Sequence, residues 1–396
     1  MSSVLFVNGN LQGHFNPTLP LITEMVNQGE EVWYYCSELF REKVESVGAH
    51  IIPTGRVLDQ FYQDYKPTGD HPFYKLMEYI VKYDQVLLPD LLEQTKNIRY
   101  DYVIYDSILG GGYFLKNILK VPVICSNSSF VMDKLPVPDS MLVEGCHPQL
   151  DECYRILREL CSAWNKKAAS LLDVFINKGD LNLVYTSRMF NPDGNQFDDS
   201  YLFVGPSVNK RKELLEFPLS ELEGHKIIYI SLGTINNNFS GFYQMCIQAF
   251  AETEYKVVMS VGTKCNINEL GQIPDNFIVK QFVPQLEILK KSHIFISHSG
   301  FNSVSESLYY GVPLIVLPMV NDQYMVATRV TQLGAGIMLK MSEITDRQLI
   351  EAVEKIEFND EYKTACERIG NSFRQADGCT NTVVKIKDYV RKWNGN

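Results

Sequence analysis

Residues 293–318 read HIFISHSGFNSVSESLYYGVPLIVLP. An apolar run of strand length ends at Ser297, the trio His298, Ser299 and Gly300 makes a tight turn, and a helix begins near Asn302. A second apolar run, VPLIVLP, follows that helix. Continuous apolar strands alternating with helices imply a parallel sheet covered on both faces. The first amides of such a helix have no intrahelical partner, and its dipole is positive there, so a diphosphate fits that end. Gly300 lets an anion approach the backbone. His298 and Ser303 add side-chain donors. Glu306 lies four residues after Asn302, on the same helix face, where its carboxylate can accept hydrogen bonds from ribose hydroxyls. The stretch SLGT, Ser231 to Thr234, also ends a strand with hydroxyls and a glycine. Ser231, Gly233 and Thr234 are therefore expected to meet the same phosphates.

The same texture extends in both directions. IIYISLGT, YKVVMSVG, FIVKQFVPQ and AGIML complete a second sheet, with a helix near 240–252. Before it, residues 205–225 are polar and punctuated by Pro and Gly, the composition of a linker. The first part alternates likewise: VLFVNG, EVWYYCS, HIIPTG, DYVIYDS, VPVICSNSS and LNLVYTS are strands separated by helical stretches. One of these helices, NPTLPLITEMVNQG, has Pro17 near its start and Gly29 past its end. The expectation is an α/β chain of two doubly wound, Rossmann-like domains facing each other across a cleft. Residues 1–210 form the first, 226–375 the second, and 376–396 an amphipathic helix that packs back on the first. Such sheets bind ligands at the C-terminal ends of their strands.

Bulk properties narrow the partners. A chain of 396 residues suits two domains. A formal charge of −10 argues against nucleic acid. No run reaches the roughly 18 apolar residues of a membrane helix, so no stable membrane insertion is expected. The opening MSSVLFVNGN has no basic n-region or long apolar core, and reads as a buried strand. Nine scattered cysteines without a Cys-x-x-Cys pair read as free thiols in a reducing cytoplasm.

Residues 282–323, FVPQLEILKKSHIFISHSGFNSVSESLYYGVPLIVLPMVNDQ, resemble the donor signature of UDP-sugar glycosyltransferases of the GT-B fold. PQ, HSGFNS, a Glu eight residues after the His, GVP and DQ all fall in order. The whole chain is similar in length and layout to bacterial macrolide and flavonoid glycosyltransferases. The resemblance implies that Phe282 stacks on uracil, the Val283 backbone bonds the base edge and Gln285 lies near the ribose. It gives Glu306 the ribose hydroxyls, His298, Asn302 and Ser303 the diphosphate, and Asp322 and Gln323 the sugar hydroxyls. Gln323 favours a glucose-type donor. Three departures from the plant form leave uridine- and thymidine-linked donors both open. Phe282 stands where Trp is common, Phe301 where a larger aromatic or Met is common, and the spacer from Gln285 to His298 is two residues shorter.

By the same resemblance, His14 in GHFNPT is the general base that takes a proton from an acceptor hydroxyl within about 3 Å. Asp106, closing the parallel strand YVIYD, is its natural partner. Asn16 either reaches the donor phosphates or caps a helix. Ser128, Phe130 and Met132, after VICSN, are expected to line an acceptor cleft. The expected activity is inverting transfer of a hexose from UDP-glucose, or a related nucleotide sugar, to a small hydroxylated aromatic or macrocyclic acceptor. No Asp-x-Asp motif occurs, so neither a catalytic metal nor any other cofactor is expected. A nicotinamide dehydrogenase fits poorly, since GNLQGHF lacks G-x-G-x-x-G spacing. A lipid or cell-envelope glycosyltransferase and a non-catalytic nucleotide-sugar-binding protein remain as alternatives.

Overall fold

The computed structural model describes residues 2–68, 71–135, 137–167, 170–208, 216–233, 238–320 and 322–395. The chain divides into two compact units, Met1–Ser207 with Ala376–Asn396, and Val208–Gln375.

The first unit holds seven strands: β1 Ser3–Val7, β2 Glu31–Cys36, β3 His50–Pro53, β4 Tyr102–Asp106, β5 Val123–Asn127, β6 Leu181–Val184 and β7 Tyr201–Phe203. They lie in the order β3-β2-β1-β4-β5-β6-β7, and every pairing is parallel. The alternation along β1 sorts its side chains onto two faces. Leu5 and Val7 join Val103, Tyr105 and Cys125 under the long helix Pro72–Thr95. Val4 and Phe6 join Ile104 and Ile124 under Leu21, Ile22 and Met25 of the helix Leu19–Asn27. That second layer is completed by Val383, Ile386 and Val390 of the helix Gly378–Asn394. Burial on both faces is what the unbroken apolar strands require. The strand β7 escapes the sequence reading because it is three residues long and directly precedes a Gly-Pro turn.

The second unit is a six-stranded parallel sheet: β8 Ile227–Ser231, β9 Lys256–Ser260, β10 Phe277–Lys280, β11 Ile294–Ser297, β12 Leu314–Val316 and β13 Gly336–Met338. Its order is β10-β9-β8-β11-β12-β13. Ile228, Ile230, Ile294 and Ile296 form one core layer with Phe242, Tyr243 and Cys246 of the helix Ser240–Phe250 and Leu349 and Val353 of the helix Asp346–Glu357. This unit begins at Val208, within the stretch read as a linker.

In both sheets the chain order reverses direction at one place, between β1 and β4 and between β8 and β11. Connections there leave in opposite directions and open a crevice at the strand ends. The turn after β4 is tight: a Cβ on Gly110 would lie 2.5 Å from the Asp106 carbonyl oxygen and 2.6 Å from its amide nitrogen. Those are backbone atoms and cannot rotate away. Gly110→Ala is expected to destabilise the first unit by about 1–3 kcal/mol, seen as a lower midpoint in urea unfolding; an unchanged midpoint would show that the turn has slack.

Candidate functional site

The switch point of the first unit carries a buried polar constellation. Val7 lies opposite Tyr105 in the β1–β4 register, so the residues that follow both strands emerge side by side. Asp106 is 1% exposed. Its Oδ1 accepts hydrogen bonds from the backbone N–H groups of Ile108 (3.0 Å) and Leu109 (2.8 Å). Its Oδ2 stands 2.9 Å from His14 Nδ1. One carboxylate thus organises its own turn with one oxygen and holds the imidazole with the other. A carboxylate only accepts, so Nδ1 carries the proton, and in the neutral ring Nε2 is the nitrogen with the lone pair. His14 side-chain exposure is 19%, so the ring is held yet reachable.

His14 sits in a single helical turn, Gln12–Phe15, followed by a 3-10 turn at Asn16–Thr18. Asn8, fully buried, fixes that segment: its Nδ2 donates to the His14 carbonyl (3.2 Å) and to Tyr34 Oη (2.8 Å), and its Oδ1 accepts from Gly9 N–H (2.7 Å). Tyr34 in turn meets the Thr18 hydroxyl at 3.0 Å. Sequence reading missed Asn8. Its signal was a polar residue ending the apolar run SVLFV, where a turn residue is the ordinary explanation.

Of the three expected acceptor-lining residues, Ser128 is brought to His14, with its Oγ 2.8 Å from Nδ1. With the proton on Nδ1, the hydroxyl oxygen accepts a share of it. Phe130 is 7% exposed and packs on Phe190 at 5.3 Å between ring centroids. Met132 is half-buried. The segment is pinned by Asn191, whose side chain pairs with both the N–H (3.0 Å) and C=O (3.1 Å) of Val131. Asn16 is partly buried, and its Oδ1 has no hydrogen-bond partner among the described residues.

In the second unit Ser231 and Ser297 are register partners, so the turns after β8 and β11 are neighbours. Ser299 has φ 69°, a left-handed conformation uncommon without a glycine and often found at functional sites. The His298 imidazole lies between two glycines: a Cβ on Gly233 would be 2.6 Å from its Cε1, and one on Gly300 2.6 Å from its Nε2. Gly233 has φ 79°. A larger residue at either place would force the ring to move. Burial pushes the His298 pKa down to about 4, against a smaller opposing effect from a backbone hydrogen bond at Ser231. At neutral pH this side chain is therefore an uncharged donor and acceptor. Gly300 precedes the helix Phe301–Tyr309, whose N-cap makes no side-chain cap bond. Asn302 and Ser303, half-buried, stand in its first turn.

Glu306 is 5% exposed. Gln285 Nε2 donates to its Oε2 (2.5 Å) and to Ser303 Oγ (3.3 Å). Phe282 is 48% exposed, a large apolar face turned to solvent, whereas Val283 is buried. Gln323 is buried, and its Oε1 accepts from the Met319 and Val320 N–H groups at 2.9 and 3.1 Å. That fixes the amide so that only its NH2 can serve a hydroxyl. Asp322 beside it is exposed. Thr234 lies outside the described residues. Among the described residues no group of three His, Cys, Asp or Glu is placed to hold a metal ion.

Residues 206–374 match the family model described as UDP-glucoronosyl and UDP-glucosyl transferase, a span that coincides closely with the second unit. The chain is 34% identical over 402 residues, covering all of both chains, to the uncharacterized UDP-glucosyltransferase YdhE of Bacillus subtilis (strain 168). It is 27% identical to the oleandomycin glycosyltransferase of Streptomyces antibioticus, over 95% of this chain and 88% of the other. In fold it is similar to the crystal structure of the glycotransferase of kitacinnamycin, with TM-score 0.85, 24% identity and 98% of each chain covered. The architecture is GT-B.

The depressed His298 pKa has a stability consequence. Unfolded, this imidazole takes up its proton near pH 6.5; folded, near 4. Its contribution is complete above pH 6.5 and declines as the pH falls towards 4. Between pH 7 and 4.5 the wild-type chain should lose more unfolding free energy than His298→Asn; equal losses would mean the imidazole titrates normally.

Proposed function

The chain belongs to the UDP-glucoronosyl and UDP-glucosyl transferase family and is a glycosyltransferase, and from that premise we propose that it moves glucose from UDP-glucose to a hydroxyl of a small aromatic or macrocyclic acceptor, with inversion. The observation that carries the reading is the 2.9 Å contact between His14 Nδ1 and the buried Asp106. A phenol or alcohol is mostly neutral at pH 7. The hydroxyl gives its proton to His14 Nε2 while its oxygen bonds to the anomeric carbon and the bond to UDP breaks. The imidazolium formed is then stabilised by the carboxylate behind it. An α-linked donor yields a β-glycoside.

The second unit supplies the leaving-group side of the reaction. The start of the helix Phe301–Tyr309 turns a positive dipole end to the diphosphate. His298 assists as a neutral donor, Glu306 takes the ribose, Phe282 the base, and Asp322 and the Gln323 NH2 the sugar. Relatives named for a UDP-glucosyl donor and for a macrolide, oleandomycin, support the substrate classes. No metal or other cofactor takes part in this proposal. A cytoplasmic site of action agrees with nine free cysteines, seven of them buried. No helix among the described residues is long and apolar enough to cross a membrane.

A panel of phenols and macrolides with UDP-glucose, read by mass, tests the activity: the product gains one hexose and UDP is released, whereas UDP-glucose left intact with every acceptor defeats the proposal. His14→Ala should lower turnover by about 10²–10⁴-fold with UDP affinity, measured by calorimetry, nearly unchanged. Parallel loss of both would remove the base assignment. EDTA should leave the rate unaltered; an EDTA-treated enzyme revived by magnesium would contradict the metal-free mechanism.

A further inference from the structure

The ribose end of the second unit is built on a residue that the donor signature does not contain. Tyr229 lies in the middle of β8, 1% exposed, with its ring stacked on Phe295 of β11 at 4.7 Å and 8°. Its Oη is 2.9 Å from Gln285 Oε1. The same Gln285 approaches Glu306 Oε2 through Nε2 at 2.5 Å and Ser303 Oγ at 3.3 Å. The proton positions follow from chemistry. Glu306 as a carboxylate only accepts, so the NH2 of Gln285 must face it. The amide oxygen then faces Tyr229, which must donate. Each hydrogen bond in the chain Tyr229–Gln285–Glu306 sets the polarity of the next, and such chains strengthen cooperatively in a low-dielectric interior.

A terminal amide has two orientations of almost equal shape. In one, Gln285 donates to Glu306; in the other it sets oxygen against oxygen. Glu306 forbids the second orientation only while it stays charged and in place. Tyr229 reaches the amide from β8 and makes the first orientation the one in which every polar atom is paired.

We infer that Tyr229 is a positioning residue of the nucleotide site: through Gln285 it holds the Glu306 carboxylate in place for the vicinal 2′- and 3′-hydroxyls of ribose, so that the site selects ribonucleoside over 2′-deoxyribonucleoside diphosphates. The inference rests on the reading of this unit as the nucleotide site, and it resolves the choice between uridine-linked and thymidine-linked donors in favour of the ribose-bearing one. A site built to bond a hydroxyl rejects the analogue that lacks it, because the carboxylate loses a partner it cannot replace.

Calorimetric titration of the full-length chain with UDP and with 2′-deoxyuridine 5′-diphosphate tests it. The wild-type chain should bind UDP at least about tenfold more tightly than the deoxy compound. In Tyr229→Phe that ratio should collapse towards one, because UDP affinity falls while deoxy affinity holds. Gln285→Leu should behave alike, and it carries the test if the Phe variant does not fold by circular dichroism. A variant that weakens both nucleotides equally, at an unchanged ratio, overturns the positioning role. A wild-type chain that binds UDP without preferring it overturns the selectivity while leaving the nucleotide site intact. Binding of neither nucleotide would overturn the site itself, and the inference with it.

Discussion

The chemistry of the first unit depends on the parallel ladder between β1 and β4. That pairing puts the end of one strand beside the end of the other, in the register Val7 opposite Tyr105. A carboxylate on the next residue of β4 and an imidazole one short turn beyond β1 then meet, although 92 positions separate them in the chain. A slip of one residue would turn Asp106 to the opposite face of the sheet. The register is enforced by apolar burial on both sides, so the polar contact inherits its geometry from the hydrophobic core. The second unit repeats the device with different occupants: Ser231 and Ser297 pair across β8 and β11, and the two turns that follow enclose His298.

Around both switch points the buried polar atoms hold one another in fixed orientations. Asn8 uses both ends of its amide, on Gly9, Tyr34 and the His14 carbonyl. Asn191 clasps the Val131 backbone in the manner of a strand neighbour. Breaking one partner in such a set leaves the other desolvated and unpaired, which costs more than the bond was worth. Rigidity at the ends of the sheets therefore comes from amides and hydroxyls, while the apolar layers beneath supply the bulk of the stability.

The alternation of apolar runs and helices was enough to expect two parallel sheets, and the His-Ser-Gly turn before Asn302 pointed to the anion end of the second. The pairing of His14 with Asp106 was legible through the family resemblance, to which the place of each beside the end of an apolar strand added support. What the sequence hid was of another kind. Tyr229 reads as one more apolar-run residue in IIYIS, and its hydroxyl contact with Gln285 spans 56 positions. Asn8 and Asn191 look like ordinary turn formers. The contact of the Ser128 hydroxyl with an imidazole 114 positions away was equally invisible. Side-chain hydrogen bonds between distant segments leave no periodic trace, and β7 is too short to leave one either.

The helix Gly378–Asn394 has a bearing on how the protein is made. Its residues Val383, Ile386 and Val390 complete an apolar layer begun by Val4 and Phe6. Buried Glu30, bonded by the Tyr102 hydroxyl, waits for Lys387, which also donates to the Gln28 carbonyl at 2.8 Å. On the ribosome, the unit translated first thus cannot seal its core until the stretch near residue 390 has emerged. The unit translated second is contiguous and can close sooner. Nascent chains would carry an open apolar seam for most of their synthesis, a natural foothold for a chaperone.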